Sequence, residues 1–261
     1  SFKKNSPKSI ILENNLIFYK ELNQRKIVKN KIKVFTLWFQ GFDNAPKIVR
    51  TCNESLYQNL NKNEYEIIKI DSNNLDEFVD IRRINKLIKN SNLLKCHISD
   101  LIRTELLIRY GGLWIDSTMY LRGNIPIEII KSDFFAFRIT SNSTARIASN
   151  QFLYSKEPNN QFLIKFYNYL NFYISRYKRM LSYSFYHYIF TIIYYKYHPE
   201  LFKNTIFLSS DLPHNLIDSI TNTKNIKKTD LLSIMNSFFV HKLNHKKYLS
   251  REIDIFHELV N

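Results

Sequence analysis

The sequence predicts an α/β fold in which one sheet carries helices on both of its faces. Short, continuously apolar segments alternate along the chain with longer segments in which apolar residues recur every three to four positions. The first pattern is typical of buried strands and the second of amphipathic helices. Because alternation of the two is typical of a sheet layered between helices, the order of the segments predicts the fold class.

The first half of the chain alternates regularly between the two kinds of segment. VFTLWF at 34–39 has the strand pattern and is followed by Gly41, after which Asn44 and Pro46 introduce a helical pattern. The apolar positions of that helix recur with the 3.6-residue period. In chain order we predict a helical segment at 1–30, a strand at 34–39, a helix after Pro46, a strand at 66–70, and helices at 81–89 and 98–110.

The second half is richer in helix. We predict strands at 113–116 and 134–137, helices at 159–179 and 183–197, and strands at 205–208 and 238–241. The apolar stretch at 182–197 is shorter than the roughly 20 residues of a membrane span, so we interpret it as a buried or interfacial helix. Because the chain has no evident linker or repeat, we expect an N-terminal helical segment at 1–30 and one domain at 31–261, with a helix-rich insertion in its second half.

The chain has a strong excess of positive charge. It contains 38 lysines and arginines against 23 acidic residues, a formal net charge of +15. Such a surface attracts anions such as nucleic acid, anionic lipid or a phosphorylated substrate, although lysine is abundant throughout and the base composition of the gene also explains the excess. Hydrophobic residues make up 44%, which argues against disorder. Two cysteines without CxxC spacing and the lack of a signal-peptide core favour a reduced, cytoplasmic protein.

Glycine is scarce, and two of the glycines are adjacent. A chain of this length has about 18 glycines on average, whereas this one has four, with Gly111 next to Gly112. They follow a helical pattern, and glycine can end a helix in a left-handed conformation. We therefore expect a helix to stop at this pair and a short strand, LWI, to follow it.

The helix before the glycines and the strand after them contain the candidate functional residues. The apolar residues of the helix form one stripe, and Asp100 and Arg103 fall together on the opposite face. Glu105 interrupts the stripe, and the pattern offers no reason for it. The strand ends at Asp116, which precedes a serine and a threonine. An acidic residue at the carboxyl end of a strand lies where α/β sheets bind ligands.

Asp116 and Thr118 suit a site that binds a nucleotide-sugar donor. Such a donor leaves as a diphosphate, whose developing charge a Mg²⁺ or Mn²⁺ ion stabilises. These cations take oxygen ligands, and Asp-x-Thr is an Asp-x-Asp-type arrangement whose second acid is replaced. Simpler interpretations stay open: Asp116 as a turn residue, Asp100 in the first turn of a helix capped by Ser99, and Arg103 in a surface ion pair.

Four stretches of the sequence resemble a known family. SDLIRTELLIRYGGLWIDST, residues 99–118, resembles the donor-binding segment of capsular polysaccharide synthesis glycosyltransferases, which are related to glycosyltransferase family 32 and, more distantly, to large clostridial glucosylating toxins. VFTLWFQGFDNAPKIVRTC resembles their first strand and its Trp-Gln-Gly element, with Phe39 in place of the tryptophan and Trp38 one residue earlier. SNQFLYSKEPNN, from Ser149, resembles their Ser-Asn-x-Phe element, and FFVHKLNHKK resembles their late His-Lys-Leu element.

The resemblance implies a GT-A fold, which is a Rossmann-like α/β fold, together with a UDP-hexose donor and Mn²⁺ or Mg²⁺. It assigns donor-sugar contacts to Asp100 and Arg103, and metal and diphosphate contacts to Asp116 with Thr118. The other contacts that it implies are base stacking by Trp38 or Phe39, a metal or phosphate contact by His241, a diphosphate contact by Lys242, and donor contacts by Gln40, Gly41, Gly112, Ser117, Ser149 and Asn150. Because Thr118 stands where the broader family has an aspartate, the metal is expected to be weakly held.

The resemblance also implies a retaining transferase with a lipid-linked oligosaccharide acceptor. We therefore expect a cytoplasmic protein that is peripheral to the inner face of the membrane, contacts anionic lipid and has no nucleic-acid partner. A basic nucleic-acid-binding protein would explain the charge but not the combination of Asp100, Arg103 and Asp116. Two further alternatives are a toxin-like transferase that glycosylates a protein and a scaffold that has lost its activity, which the threonine at 118 would permit.

Overall fold

The structure, a computed structural model, describes residues 31–89, 91–140, 146–222, 226–244 and 250–260. The helical segment predicted at 1–30 lies outside the described residues, so that prediction and the domain boundary after it stay predictions.

Seven strands and nine helices occur in the described ranges. The strands are β1 Ile32–Leu37, β2 Tyr65–Ile70, β3 Gly112–Ile115, β4 Met119–Leu121, β5 Phe134–Arg138, β6 Ala148–Ser155 and β7 Val240–Lys242. The helices are α1 Lys47–Asn59, α2 Ile81–Ile88, α3 Lys95–Tyr110, α4 Ile127–Lys131, α5 Gln161–Tyr177, α6 Phe185–Tyr197, α7 Asn215–Asn222, α8 Lys228–Asn236 and α9 Ser250–Val260. Among the described residues, no helix is both long and apolar enough to cross a membrane.

Five strands form one mixed sheet in the order β2-β1-β3-β6-β5. β1 pairs in parallel with β2 on one side and with β3 on the other, so the carboxyl ends of these three strands share one edge. β6 pairs antiparallel with β3 and with β5. The short strands β4 and β7 form a separate antiparallel pair, with Met119 opposite Lys242. This pair follows β3 directly and brings the late part of the chain to the end of the sheet.

The two faces of the sheet pack against different sets of helices. Successive strand residues point to opposite faces, and Phe35 and Trp114 accordingly lie in a cluster with α2, α3, α5 and α6. Val34 and Leu113 lie in another cluster with α1, α4 and β4. The predicted α/β class with helices on both faces is therefore confirmed. The helix-rich second half packs partly on the sheet itself, because α5 and α6 share the first cluster.

The adjacent glycines end α3 and start β3, as predicted. Gly111 is the C-cap of α3 with φ 64°, and its amide donates to the carbonyl oxygen of Leu107. Gly112 has φ 84°, and a Cβ atom there would lie 2.4 Å from the carbonyl oxygen of Lys33. Because Gly112 has no Cβ atom, β3 can approach β1 closely, and strand pairing requires glycine at this position.

Several predicted elements were wrong or missing. Residues 205–208 do not form a strand, and the neighbouring Ser209 makes only an isolated bridge to Arg138. The short strand β4, the long strand β6 and the helices α4, α7, α8 and α9 were not predicted. Helix α3 begins at Lys95 with Leu94 as its N-cap, so Ser99 is an interior residue of the helix and does not cap it.

Candidate active site

Asp116 stands at the centre of the candidate site, directly after the carboxyl end of β3. Its amide donates to the carbonyl oxygen of Gln151 on β6, and its own carbonyl accepts from the amide of Met119 at 2.8 Å. These bonds place the carboxylate in the tight connection between β3 and β4. This position is consistent with the expectation that an acidic residue follows the strand, at the end of the sheet where α/β folds bind ligands.

The Asp116 carboxylate is surrounded by donors. Oδ1 accepts from the indole Nε1 of Trp114 at 2.8 Å and lies 3.2 Å from a guanidinium nitrogen of Arg103. Oδ2 accepts from Nζ of Lys242 at 3.0 Å. Burial opposes ionisation, but the charges of Lys242 and Arg103 outweigh it and hold the pKa of Asp116 below its usual range. The side chain remains 23% exposed, so the ionised group is accessible to a ligand.

Arg103 is a buried cation that connects the residues of the site. Its guanidinium lies 4.9 Å from the centre of the Trp114 ring, donates to the carbonyl oxygen of Asn150 and reaches Ser99 Oγ at 3.2 Å. It also lies 3.5 Å from Asp100 Oδ1. The alternative of a surface ion pair is therefore wrong. A buried arginine needs such partners because an unpaired buried charge is costly, and these contacts fix its orientation.

Asp100 is buried next to Arg103 and has a different protonation behaviour from Asp116. Its Oδ1 accepts from the amide nitrogen of Asn150 at 2.8 Å. Burial raises the pKa of Asp100 to about 7, although Arg103 acts in the opposite direction. The alternative of a first-turn residue that suits the helix dipole is wrong, because α3 begins five residues earlier at Lys95. Two neighbouring carboxyl groups thus have pKa values shifted in opposite directions, a pattern found at functional sites.

Lys242 completes the site from the far end of the chain. Its ammonium donates to Thr118 Oγ1 at 2.7 Å as well as to Asp116. The neighbouring His241 faces the other side of β7, as alternation along a strand requires. Its Nε2 lies 2.8 Å from the carbonyl oxygen of Met235, and burial lowers the pKa of the ring. The structure therefore brings Lys242 to Asp116 and places His241 in the interior.

The expected metal set does not match this arrangement. Asp116, Thr118 and His241 do not converge, because His241 lies among core residues. In the described part of the chain, no group of three or more His, Cys, Asp or Glu side chains could hold a metal ion. Mg²⁺ and Mn²⁺ need several oxygen ligands, whereas here both Asp116 oxygens and the Thr118 hydroxyl accept from cationic or indole donors. The ammonium of Lys242 lies between the two expected oxygen ligands.

Of the other residues predicted to bind the donor, some lie in the turn after β1 and one lies at the far end of β3 from Asp116. Trp38 and Phe39 follow the carboxyl end of β1. Phe39 packs against the cluster that contains Phe35, whereas Trp38 packs against a different cluster, so the two rings point to opposite sides of the chain. Gln40 is exposed and Gly41 adopts φ 81° in that turn. Gly112 lies at the opposite end of β3, ~13 Å from Asp116 at about 3.3 Å per residue; its close neighbour is Lys33, so it supports strand pairing.

The Ser-Asn element, Ser149 and Asn150, lies in β6. Asn150 contributes to the site through both its carbonyl oxygen and its side-chain amide, as its contacts to Arg103 and Asp100 show. Ser149 has a buried hydroxyl with no partner within the described residues. Ser117, between Asp116 and Thr118, occupies the turn that leads into β4 and makes no side-chain hydrogen bond among those described.

Two residues near the site were missed by the sequence analysis. Trp114 fixes one oxygen of Asp116 and stacks on Arg103; its position two residues before Asp116, on the same face of an extended strand, was the available signal. Tyr183 precedes α6 with its side chain largely exposed. Although most of the side chain is exposed, partial desolvation of its phenol raises the pKa, and the charges of Cys96, Asp116 and Asp100 act in the same direction.

Glu105, which the helical pattern left unexplained, is a structural residue. Its side chain is fully buried and accepts from Arg109, from the Tyr167 hydroxyl at 2.6 Å and from the amide of Asp80 at 2.9 Å. It therefore connects α3 to α5 and to the start of α2. This network orients the helix that supplies Asp100 and Arg103, and it explains why a charged residue interrupts the apolar stripe.

Comparisons with known proteins give one family match across nearly the whole chain. A family model described as "Capsular polysaccharide synthesis protein" matches residues 9–259. Among solved structures, a chain named "PaToxG Glycosyltransferase" is similar, with 14% sequence identity and a TM-score of 0.46 over 88% of this chain and 84% of that chain. A similarity at this level carries no argument about activity. No curated protein matches the chain.

Proposed function

Because the chain belongs to the capsular polysaccharide synthesis family, we propose that it is a glycosyltransferase that transfers a hexose from a UDP-sugar to a growing polysaccharide precursor. The observation that carries the proposal is the cluster of Asp116, Arg103 and Lys242 at the carboxyl end of β3. A nucleotide-sugar donor presents a diphosphate next to a sugar, and such a ligand needs cations and oriented carboxylates side by side. The parallel strands β2, β1 and β3 suit a GT-A fold, in which the donor binds at this edge.

Each part of the site has a place in the transfer. The C1–O bond between the hexose and the β-phosphate breaks, and a new bond forms from C1 to the acceptor hydroxyl. We assign the sugar hydroxyls to the pair formed by Asp100 and Arg103 and the diphosphate to the side where Lys242 lies. The turn after β1 supplies Trp38 or Phe39 to stack on the base, since aromatic faces accept any base.

We further propose that the reaction retains the anomeric configuration. The acceptor then attacks from the face that the diphosphate leaves, and a diphosphate oxygen takes the acceptor proton. This route needs no protein base beside the acceptor. It is supported by the surroundings of the two carboxylates: both Asp116 oxygens accept from cationic or indole donors, and Asp100 is buried against Arg103 and Asn150.

The acceptor in this proposal is a lipid-linked oligosaccharide at the inner face of the membrane. The family supports a role in polysaccharide assembly, and the net charge of +15 suits a surface that contacts anionic lipid.

The test is a screen of UDP-hexoses by thermal shift, followed by measurement of UDP release from the best donor. A donor at 100 times its Kd is expected to stabilise the fold by about 2.7 kcal/mol. Asp116→Asn should lower UDP release about 10²–10³-fold, borrowing the effect of removing one electrostatic contact to a transition state. The matched control is Asp133→Asn, because Asp133 is 83% exposed and lies 4.0 Å from its only described ion-pair partner, Lys156. Release by Asp116→Asn at the rate of the control would refute the assignment.

A further inference from the structure

We infer that Lys242 supplies the positive charge that a divalent metal would otherwise supply to the donor diphosphate, so that donor binding is independent of metal. The inference rests on the proposed function and identifies the cation that binds the donor diphosphate. Three observations carry it: the position of the ammonium, the charge balance of the site, and the way in which the fold fixes Lys242.

The ammonium occupies the position that a bridging cation would need. Nζ lies 3.0 Å from Asp116 Oδ2 and 2.7 Å from Thr118 Oγ1, the two oxygen atoms of the Asp-x-Thr element. Its side chain is 21% exposed and that of Asp116 is 23% exposed, so both reach solvent from the same place. A cation of charge +2 in the same position would be repelled by the ammonium at short range. The ammonium and a metal ion therefore exclude each other.

The acidic charge of the Asp-x-Thr element is balanced by neighbouring cations without a metal, because Lys242 lies 3.0 Å and Arg103 lies 3.2 Å from Asp116. Two carboxylates in an Asp-x-Asp pair carry a charge of −2, which a divalent cation neutralises. Here residue 118 is the neutral Thr118, so Asp116 contributes −1 and Lys242 contributes +1. The replacement of the second acid and the presence of the lysine thus compensate for each other. The ammonium has three hydrogens, and after bonding Asp116 and Thr118 it can donate the third to a phosphate oxygen.

The fold fixes Lys242 through its backbone. β7 pairs antiparallel with β4, which places Lys242 opposite Met119, and the amide of the next residue, Leu243, donates to the carbonyl oxygen of Thr118 at 2.8 Å. Leu243 itself is buried in the core. The lysine is therefore held on both sides of its Cα atom, unlike a surface lysine on a mobile loop. In the transfer step it stays protonated: it contacts the β-phosphate as the C1–O bond breaks, and the acceptor proton goes to the diphosphate.

The first experiment measures UDP binding to the wild-type protein by isothermal titration calorimetry, once in EDTA and once in excess Mn²⁺. We expect dissociation constants that agree within about twofold, since a tenfold change would correspond to a substantial extra interaction. Binding that appears only with Mn²⁺ would overturn the inference while leaving the proposed function intact. Absence of UDP binding under both conditions would overturn the proposed function and the inference with it.

The second experiment exchanges the two kinds of cation. Lys242→Met should weaken UDP binding in EDTA about 30-fold or more, as expected when a partly buried charge partner is truncated, whereas the exposed Lys156→Met should not. The double variant Thr118→Asp, Lys242→Met restores two carboxylates and removes the ammonium. It should bind UDP weakly in EDTA and regain affinity in Mn²⁺. Circular dichroism confirms that each variant is folded. Wild-type affinity of the Lys242→Met variant in EDTA would overturn the inference.

Discussion

Glu105→Gln is expected to destabilise the protein strongly although the two side chains have nearly the same shape. The wild-type carboxylate is fully buried and is shared by Arg109, the Tyr167 hydroxyl and the Asp80 amide. Glutamine can keep its oxygen at the Asp80 amide and turn its NH₂ group toward the Tyr167 hydroxyl, which can also accept, but it removes the negative charge that pairs with the buried Arg109. Breaking a buried ion pair costs about 3–5 kcal/mol.

This loss can be expressed as a shift in melting temperature. Unfolding entropy near 60 °C is about 2.1 cal/mol/K per residue, or ~0.5 kcal/mol/K for a chain of this length, so a loss of about 3–5 kcal/mol lowers Tm by ~6–10 °C. Differential scanning calorimetry measures this shift. The matched control is Glu54→Gln, an exposed glutamate within helix α1, which should stay within about 0.5 kcal/mol of the wild type.

The variant also separates stability from function. Glu105 orients α3 but makes no described contact with Asp100, Arg103 or Asp116. Well below the Tm of the variant, UDP affinity should therefore remain close to that of the wild type. A Tm within 2 °C of that of the Glu54→Gln control, where about 6 °C or more is expected, would refute the account of Glu105 as the residue that connects α3 to α5.

Two further predictions concern the sheet and the buried carboxyl. Gly112→Ala should lower stability by at least ~2 kcal/mol, because it combines a positive φ with a Cβ clash against Lys33, whereas a Cβ on Gly123 meets nothing within 4 Å; equal stability in urea would contradict the close approach of β3 to β1. The pKa of Asp100 is raised to about 7 from 3.8, so the folded state binds the proton more tightly, and the stability that this contributes is present at low pH and lost as pH rises through 7. Urea unfolding should show the stability of the wild type falling relative to Asp100→Asn between about pH 4 and pH 7, and a constant difference would exclude this titration.

The predictable part of the fold was the part that depends on local pattern. The parallel strands and the helices α1, α2, α3, α5 and α6 each contain enough regularly spaced apolar residues to be recognised within one segment. β4 was missed because three residues contain too little periodicity, and β6 was missed because three successive polar residues near its start, Ser149, Asn150 and Gln151, obscure the strand pattern. The segment predicted as a strand at 205–208 lies beside the edge strand β5, where the Arg138 amide donates to the Leu208 carbonyl oxygen, but its pairing stops at the single bridge between Ser209 and Arg138.

The sequence by itself determined the part of the site that lies within one short segment. Asp100 and Arg103 share a helix face because of the 3.6-residue period. Asp116 lies at the carboxyl end of the parallel strands because β3 ends directly before it, and the double glycine makes the chain turn between the helix and this strand. These relations span fewer than 20 residues, so backbone geometry alone decides them.

Only the tertiary structure decided which distant residues complete the site. Lys242 reaches Asp116 across 126 residues because β7 pairs with β4, and the same pairing turns the adjacent His241 into the core. Glu105 became a structural residue because Tyr167, 62 residues later, donates to it. A shift of the β4–β7 register by one residue would exchange the faces of His241 and Lys242. That register depends on packing between segments that are far apart in the chain, and no local pattern in either segment contains it.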